Sequence, residues 1–211
     1  MNNSKPTSAE EETLRSQGYT IIAGVDEAGR GALIGPVVAA AVIMPEKLES
    51  KWCEKIRDSK QLSPPTREML YDYIVDKGIA VGTGEASHEI IDRQGIVNAT
   101  YIAMKSAIKM LEKQPDFLLI DYLKLPGIGI SQKGITNGDS LCFSIACASI
   151  IAKVTRDRIL MEMESVYPGY GLARHKGYGT KEHLECLQRM GPSPAHRRTF
   201  RPVFEVMNRL I

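Results

Sequence analysis

Two short apolar runs near the start of the chain, Thr20 to Asp26 and Val37 to Met44, are separated by only about ten residues rich in glycine. This spacing predicts an antiparallel pair of strands joined by a tight bend. The end of the first run is the stronger constraint. It closes on two adjacent carboxylates, Asp26 and Glu27, followed at once by Gly29-Arg30-Gly31. Neighbouring acids at the tip of a buried strand are costly unless something positive neutralises them. An isolated Asp-Glu pair is also what an ordinary polar turn carries, and GxG alone also suits a hairpin bend.

The remainder alternates between helical and strand patterns. Ser63 caps a helix with Pro64 in its first turn, running to about Lys77 and stopped by Gly78. Ile79 to Glu85 alternates weakly, as a third strand. Ser87 to Lys113 reads as helix with a break at Gly95, its second part placing Ile96, Ala99, Ala103, Ala107, Ile108 and Leu111 on one face. Phe117 to Ile120 is a short strand that ends directly in Asp121. A loop rich in Gly and Pro follows, then the longest helix, from about Ser140 to Ser165. A helix from Lys181 to Met190, stopped by Gly191 and Pro192, precedes a basic tail. This order predicts one α/β domain with a mixed sheet and a helical carboxyl end.

Composition excludes several classes. With 43% apolar and 25% charged residues the chain matches folded globular proteins. No uncharged apolar stretch approaches the roughly 18 residues of a membrane helix. The polar first 17 residues, with Glu10, Glu11 and Glu12, lack a secretory signal pattern. Cys53, Cys142, Cys147 and Cys186 form no CxxC pair or Cys/His metal spacing and read as reduced thiols of a cytoplasmic protein. Net charge is only +2, but from Arg174 onward eight basic residues face three acidic ones. A basic carboxyl end suits a local anionic partner, or simply a solvated tail.

Asp121 repeats the pattern of Asp26, an acid at a strand tip, although taken alone an Asp that simply starts a loop is the better account. Asp139, in Asn137-Gly138-Asp139-Ser140, precedes the longest helix, where a helix cap is an equally good account. Together Asp26, Glu27, Asp121 and Asp139 offer an all-oxygen ligand set without His or Cys, which suits Mg²⁺ or Mn²⁺. Paired hard cations serve in-line displacement at phosphorus. Gly29 and Gly31 let the main chain approach a ligand closely, as recognition of a ribose 2′-OH requires. Tyr178, between Gly177 and Gly179 and beside Lys176, is placed to meet a base or sugar, or to anchor its loop in the core. His175, His183 and His196 lack zinc spacing and read as phosphate contacts or surface residues.

Gly24 to Gly31 (GVDEAGRG) followed by Gly35 to Ile43 (GPVVAAAVI) closely resembles the signature of the ribonuclease HII family. The likeness continues through Asp58 to Leu62 (DSKQL), Leu119 to Asp121, Gly138 to Ser140, Ala148 to Asp157 (ASIIAKVTRD), His175 to Thr180 (HKGYGT) and His196 to Phe200 (HRRTF), covering about residues 20 to 204. The resemblance implies an RNase H-like α/β fold, a mixed five-stranded sheet flanked by helices, with a helical C-terminal extension. It leaves residues 1–18 as a flexible segment and makes 19–211 one catalytic domain, whose basic region from about 166 to 211 binds substrate.

By the same resemblance Asp26, Glu27, Asp121 and Asp139 are metal-binding acids, with Asp26 and Asp121 shared between two ions, Mg²⁺ or Mn²⁺. Gly29, Arg30 and Gly31 match the segment that reads the 2′-OH, and Tyr178 the tyrosine that stacks near the sugar at an RNA–DNA junction. Ser59 and Lys60 match a phosphate-contacting stretch, and Arg197 and Arg198 lie in the basic end that holds the duplex. The implied activity is endonucleolytic cleavage of RNA in RNA–DNA hybrids and nicking of DNA duplexes at embedded ribonucleotides, leaving 3′-hydroxyl and 5′-phosphate ends. A cytoplasmic monomer without membrane attachment is expected. Ribonuclease HIII shares the adjacent Asp-Glu but carries an additional amino-terminal domain and lacks a GRG segment of this form. Tyr122-Leu123 departs from the small residue or Gly-Asn common after the matching acid.

Overall fold

The computed structural model describes residues 5–48 and 50–209. Its sheet comprises β1 (Ile22–Ala28), β2 (Val37–Ile43), β3 (Ala80–Ala86), β4 (Phe117–Asp121) and β5 (Ser131–Ile135), in the order β3-β2-β1-β4-β5. The first three strands form an antiparallel meander, while β4 runs parallel to β1 and β5 parallel to β4. The helices in chain order are α1 (Ala9–Ser16), α2 (Pro64–Lys77), α3 (His88–Lys109), α4 (Gly138–Leu141), α5 (Phe143–Val166), α6 (Leu172–His175), α7 (Lys181–Met190) and α8 (Arg201–Arg209). Among the described residues no helix is long and apolar enough to cross a membrane.

Both faces of β2 are buried, which is why Val37 to Ile43 is continuously apolar rather than alternating. Ala39 and Ala41 point into the cluster closed by Ala99, Ala103 and Ala107 of α3. Ala40 and Val42 point the other way, against Ala148 and Ile151 of α5 and Leu70 and Ile74 of α2. Leu70 and Ile74 are fully buried, each worth about 1.5–3 kcal/mol relative to exposure. Close approach of α5 is set at Gly24, where a Cβ would overlap the Ser144 backbone. That contact presses the start of α5 against β1 two residues before Asp26.

Ser63 caps α2 by accepting from the Thr66 amide, and Gly78 ends it, as the sequence predicts. The break at Gly95 is present, as a non-helical residue inside α3. Four features differ from expectation. Within the segment expected to be flexible, α1 is packed: Leu14 is buried with Ile22, Phe117 and Ile145, and buried Glu11 accepts from the Ser144 amide at 2.9 Å. The long helix is interrupted at Cys142, whose extended backbone bridges to Thr7 and separates α4 from α5. Part of the Gly/Pro loop is β5, an edge strand of largely polar sequence. The tail ends in a short helix, α8, that seats Val203 among Leu33 and Leu187.

Candidate active site

Parallel pairing of β1 with β4 brings their carboxyl ends to one edge of the sheet. Val25 lies opposite Ile120 in register, so the next residues, Asp26 and Asp121, emerge side by side. Glu27 follows on β1, and Asp139 arrives from α4, directly after β5. The Gly138 amide donates to Asp121 Oδ1 at 2.7 Å, tying the Asp139 turn to the tip of β4. Asp139 is not the cap of a helix: Asn137 occupies that position, and the Asp139 carboxylate accepts from Lys60 Nζ at 3.3 Å.

Asp26 and Asp139 are buried. Burial, then the neighbouring Glu27 and Asp121 charges, push the Asp26 carboxyl well above the usual carboxylate range. Burial also raises Glu27, although Arg30 draws it back, and raises Asp121 against the opposing hydrogen bond from Gly138. Lys60 is the counter-charge. Burial pulls its ammonium down, but Asp139, Asp58 and Asp26 outweigh this and hold it above its ordinary value. Arg30 pairs with Glu27 Oε1 at 3.4 Å, while Glu27 Oε2 is buried without a hydrogen-bond partner. Among the described residues no three such side chains close around one point. The acids are nevertheless near enough that the Glu27, Asp121 and Asp139 charges all act on Asp26. An orphaned buried oxygen, mutual repulsion and an all-oxygen donor set fit hard divalent cations.

Beside the acids, residues 29–36 and 175–178 are knitted together. The Leu33 amide donates to the Gly177 carbonyl at 2.8 Å, and Ala32 bridges to Tyr178. Two buried guanidiniums complete the join. Arg156 donates to the carbonyls of Pro36 (3.0 Å), Lys176 (2.9 Å) and Ile34 (3.2 Å). Arg197 donates to those of Gly35 (3.0 Å) and Arg30 (2.9 Å), and its Nη2 has no partner among the described residues. Gly29 must be glycine on two counts: its φ is +93°, and a Cβ would overlap the Arg156 guanidinium. Gly31 is exposed and has open space where its Cβ would be.

The structure thus brings together Asp26, Glu27, Asp121, Asp139, Lys60 and Arg30, with Gly29, Gly31 and Tyr178 on the adjoining loops. Tyr178 is 37% exposed, with Arg156 Cζ 5.5 Å and Lys153 Nζ 5.8 Å from its ring centroid. Four residues expected to meet substrate or solvent are placed otherwise. The Ser59 hydroxyl is buried against Ser149 Oγ at 2.9 Å, so it is not free to meet a phosphate. Arg197 is fully buried because backbone carbonyls hold it, whereas Arg198 is exposed, its amide fixed by Asp92 at 2.9 Å. His183 and His196 are fully buried rather than at the surface. In the sequence Arg156 figures only within the match from Ala148 to Asp157; its signal is an Arg inside the apolar half of a long helix, opposite a glycine-rich loop.

A mixed five-stranded sheet of this order, flanked by helices and carrying acids at adjacent strand ends, defines an RNase H-like nuclease. The sequence pattern of the Ribonuclease HII family matches residues 23–207, and the chain belongs to that family. It is 59% identical over 198 residues to a Ribonuclease HII of Dehalococcoides mccartyi, covering 94% of this chain and 93% of that one. The crystal structure of ribonuclease H2 from Pyrococcus horikoshii OT3 superimposes with a TM-score of 0.76 at 26% identity, covering 90% of this chain and 98% of the other. Bst-RNase HIII, solved in complex with Mn²⁺, shares the fold with a TM-score of 0.67 at 16% identity, covering 89% of this chain and 69% of that one.

Proposed function

We propose that this protein is an endoribonuclease that hydrolyses the RNA strand of RNA–DNA hybrids and nicks DNA duplexes at embedded ribonucleotides, acting as a cytoplasmic monomer. The observation that carries the reading is the convergence of four carboxylates on one sheet edge beside a glycine-rich loop braced from behind by buried guanidiniums. Asp26, Glu27, Asp121 and Asp139 would hold two divalent cations, Mg²⁺ or Mn²⁺. Bound there, such cations supply Lewis-acid activation of the attacking water and stabilisation of the departing 3′-oxygen.

The protein's own residues do the rest. Lys60 offsets the carboxylate charge in the free protein and is near enough to the same acids to meet a scissile phosphate. Arg30 keeps Glu27 oriented. Gly31 presents open backbone to the ribose 2′-OH, a group that both donates and accepts. Tyr178 offers its exposed ring to the neighbouring sugar, and Arg198 holds the duplex by its phosphates. Water oxygen adds to phosphorus as the P–O3′ bond breaks, so the ends are 3′-hydroxyl and 5′-phosphate. Residues 19–211 act as one catalytic unit, with 166–211 flanking the substrate.

The test is a DNA duplex containing one ribonucleotide, incubated with and without Mg²⁺ or Mn²⁺, with the ends mapped. Metal-dependent cleavage on the 5′ side of the ribonucleotide supports the reading, and intact duplex overturns it. Asp26→Asn and Asp121→Asn should each lower cleavage by at least about a thousandfold, or about 4 kcal/mol in the barrier. Both should keep the fold, and Asp26→Asn should raise the metal-free melting temperature by relieving repulsion. Activity within tenfold of wild type in either variant contradicts the assignment.

A further inference from the structure

His183 and His196 form a buried pair whose protons can point only one way. The Ser193 amide lies 2.9 Å from His196 Nδ1, and an amide nitrogen can only donate. His196 Nδ1 is therefore an acceptor, and the neutral ring carries its proton on Nε2. That atom is 3.2 Å from His183 Nε2, which must accept. His183 then carries its proton on Nδ1, 3.0 Å from the Tyr178 carbonyl, which can only accept. The directed chain runs from Ser193 through both rings to the backbone of Tyr178. Burial keeps His196 neutral by lowering its pKa to about 3.

His175 completes the arrangement. It stacks on His183 with ring centroids 4.4 Å apart. Its Nε2 is 2.7 Å from the Tyr170 carbonyl, so its Nδ1 is free to accept from the Gly177 amide at 3.2 Å. Two stacked imidazoles thus grip the Gly177-Tyr178 dipeptide at its first amide and its last carbonyl. The Tyr178 side chain is left exposed.

We propose that His183, oriented by His196, is a specificity-determining positioning residue that sets where the Tyr178 ring meets the sugar. This rests on the reading of Tyr178 as the sugar-contacting residue, and the experiment separates the two. Cleavage of a DNA duplex carrying one ribonucleotide is compared with cleavage of a uniform RNA–DNA hybrid, as the ratio of kcat/KM values. Tyr178→Ala should lower the ratio. His183→Gln places its amide near the Nε2 position and leaves the Tyr178 carbonyl unheld. It should lower the ratio on the order of tenfold, the effect of one hydrogen bond. His183→Asn restores a donor at the Nδ1 position and should recover most of the ratio.

Equal losses on both substrates in His183→Gln, or no recovery in His183→Asn, overturn the positioning role while leaving Tyr178 in place. An unchanged ratio in Tyr178→Ala overturns the sugar reading and the proposal with it. Should either His183 variant fail to fold, long-range ¹H–¹⁵N spectra of the wild-type protein decide the point. Protons on His183 Nδ1 and His196 Nε2 support the proposal, and either opposite tautomer overturns it.

Discussion

Gly29 and Gly31 sit two positions apart and answer to different demands. Gly29 combines a left-handed backbone with the Arg156 guanidinium in the space a side chain would need. Gly29→Ala should therefore cost about 2–4 kcal/mol of stability, through strain and displacement of a buried charge. Gly31→Ala meets no such obstacle and should unfold within about 0.5 kcal/mol of wild type. Its cleavage rate should nevertheless fall about tenfold or more if the segment touches ribose. Urea titration and cleavage assays on the two variants measure these effects separately.

His196 gives a pH prediction of definite sign. Its pKa is lowered from 6.5 to about 3 in the folded chain, mainly by burial and then by His183. Between those values the unfolded chain holds a proton that the folded chain does not. Stability contributed by this group is thus complete above the unfolded pKa and declines as pH falls, by up to about 1.4 kcal/mol per pH unit. Urea unfolding from pH 7 to pH 4 should show a steeper acid loss for wild type than for His196→Gln, and parallel curves would contradict it. The acids at strand tips were legible because an apolar run ending in a carboxylate is an obvious conflict. Buried Arg156, Arg197, His183 and His196 were not, because charged and imidazole side chains are ordinarily exposed and nothing local marks the exception.

At the scale of elements, the Ser63 cap with the Gly78 stop placed α2 almost to the residue, and the Gly191-Pro192 stop placed the end of α7. α1, β5 and α8 were missed for a common reason: each is stabilised from outside itself. β5 (SQKGI) has no apolar alternation and exists because β4 offers it a partner. α1 directs Leu14 and Glu11 inward while most of its other residues are exposed or half-buried. Glu11 in turn serves α5, since its Oε1 accepts from the Ser144 amide in the helix's first turn, where an anion also favours the helix dipole. Glu11→Ala should lower stability by about 1–2 kcal/mol, read by urea titration, although the residue lies fifteen positions before Asp26. An unchanged midpoint would return α1 to the status of a passive flap.

Across the whole molecule, the basic carboxyl end divides into two kinds of arginine. Arg198→Ala should weaken duplex binding about equally for all sequences and lower the salt slope by about one. Arg197→Lys should leave that slope intact and instead lower stability by about 2–3 kcal/mol, because an ammonium cannot span both carbonyls. Binding titrations across salt concentrations, with melting curves, distinguish them. The wide sequence separation of these contacts also bears on how the protein is made. Arg156 reaches back 122 positions to Ile34, and Arg197 reaches back 167 to Arg30. All four carboxylates leave the ribosome well before Arg197 does. A chain cut short before Arg197 thus carries all four acids without the guanidinium that ties the Gly35 and Arg30 carbonyls together.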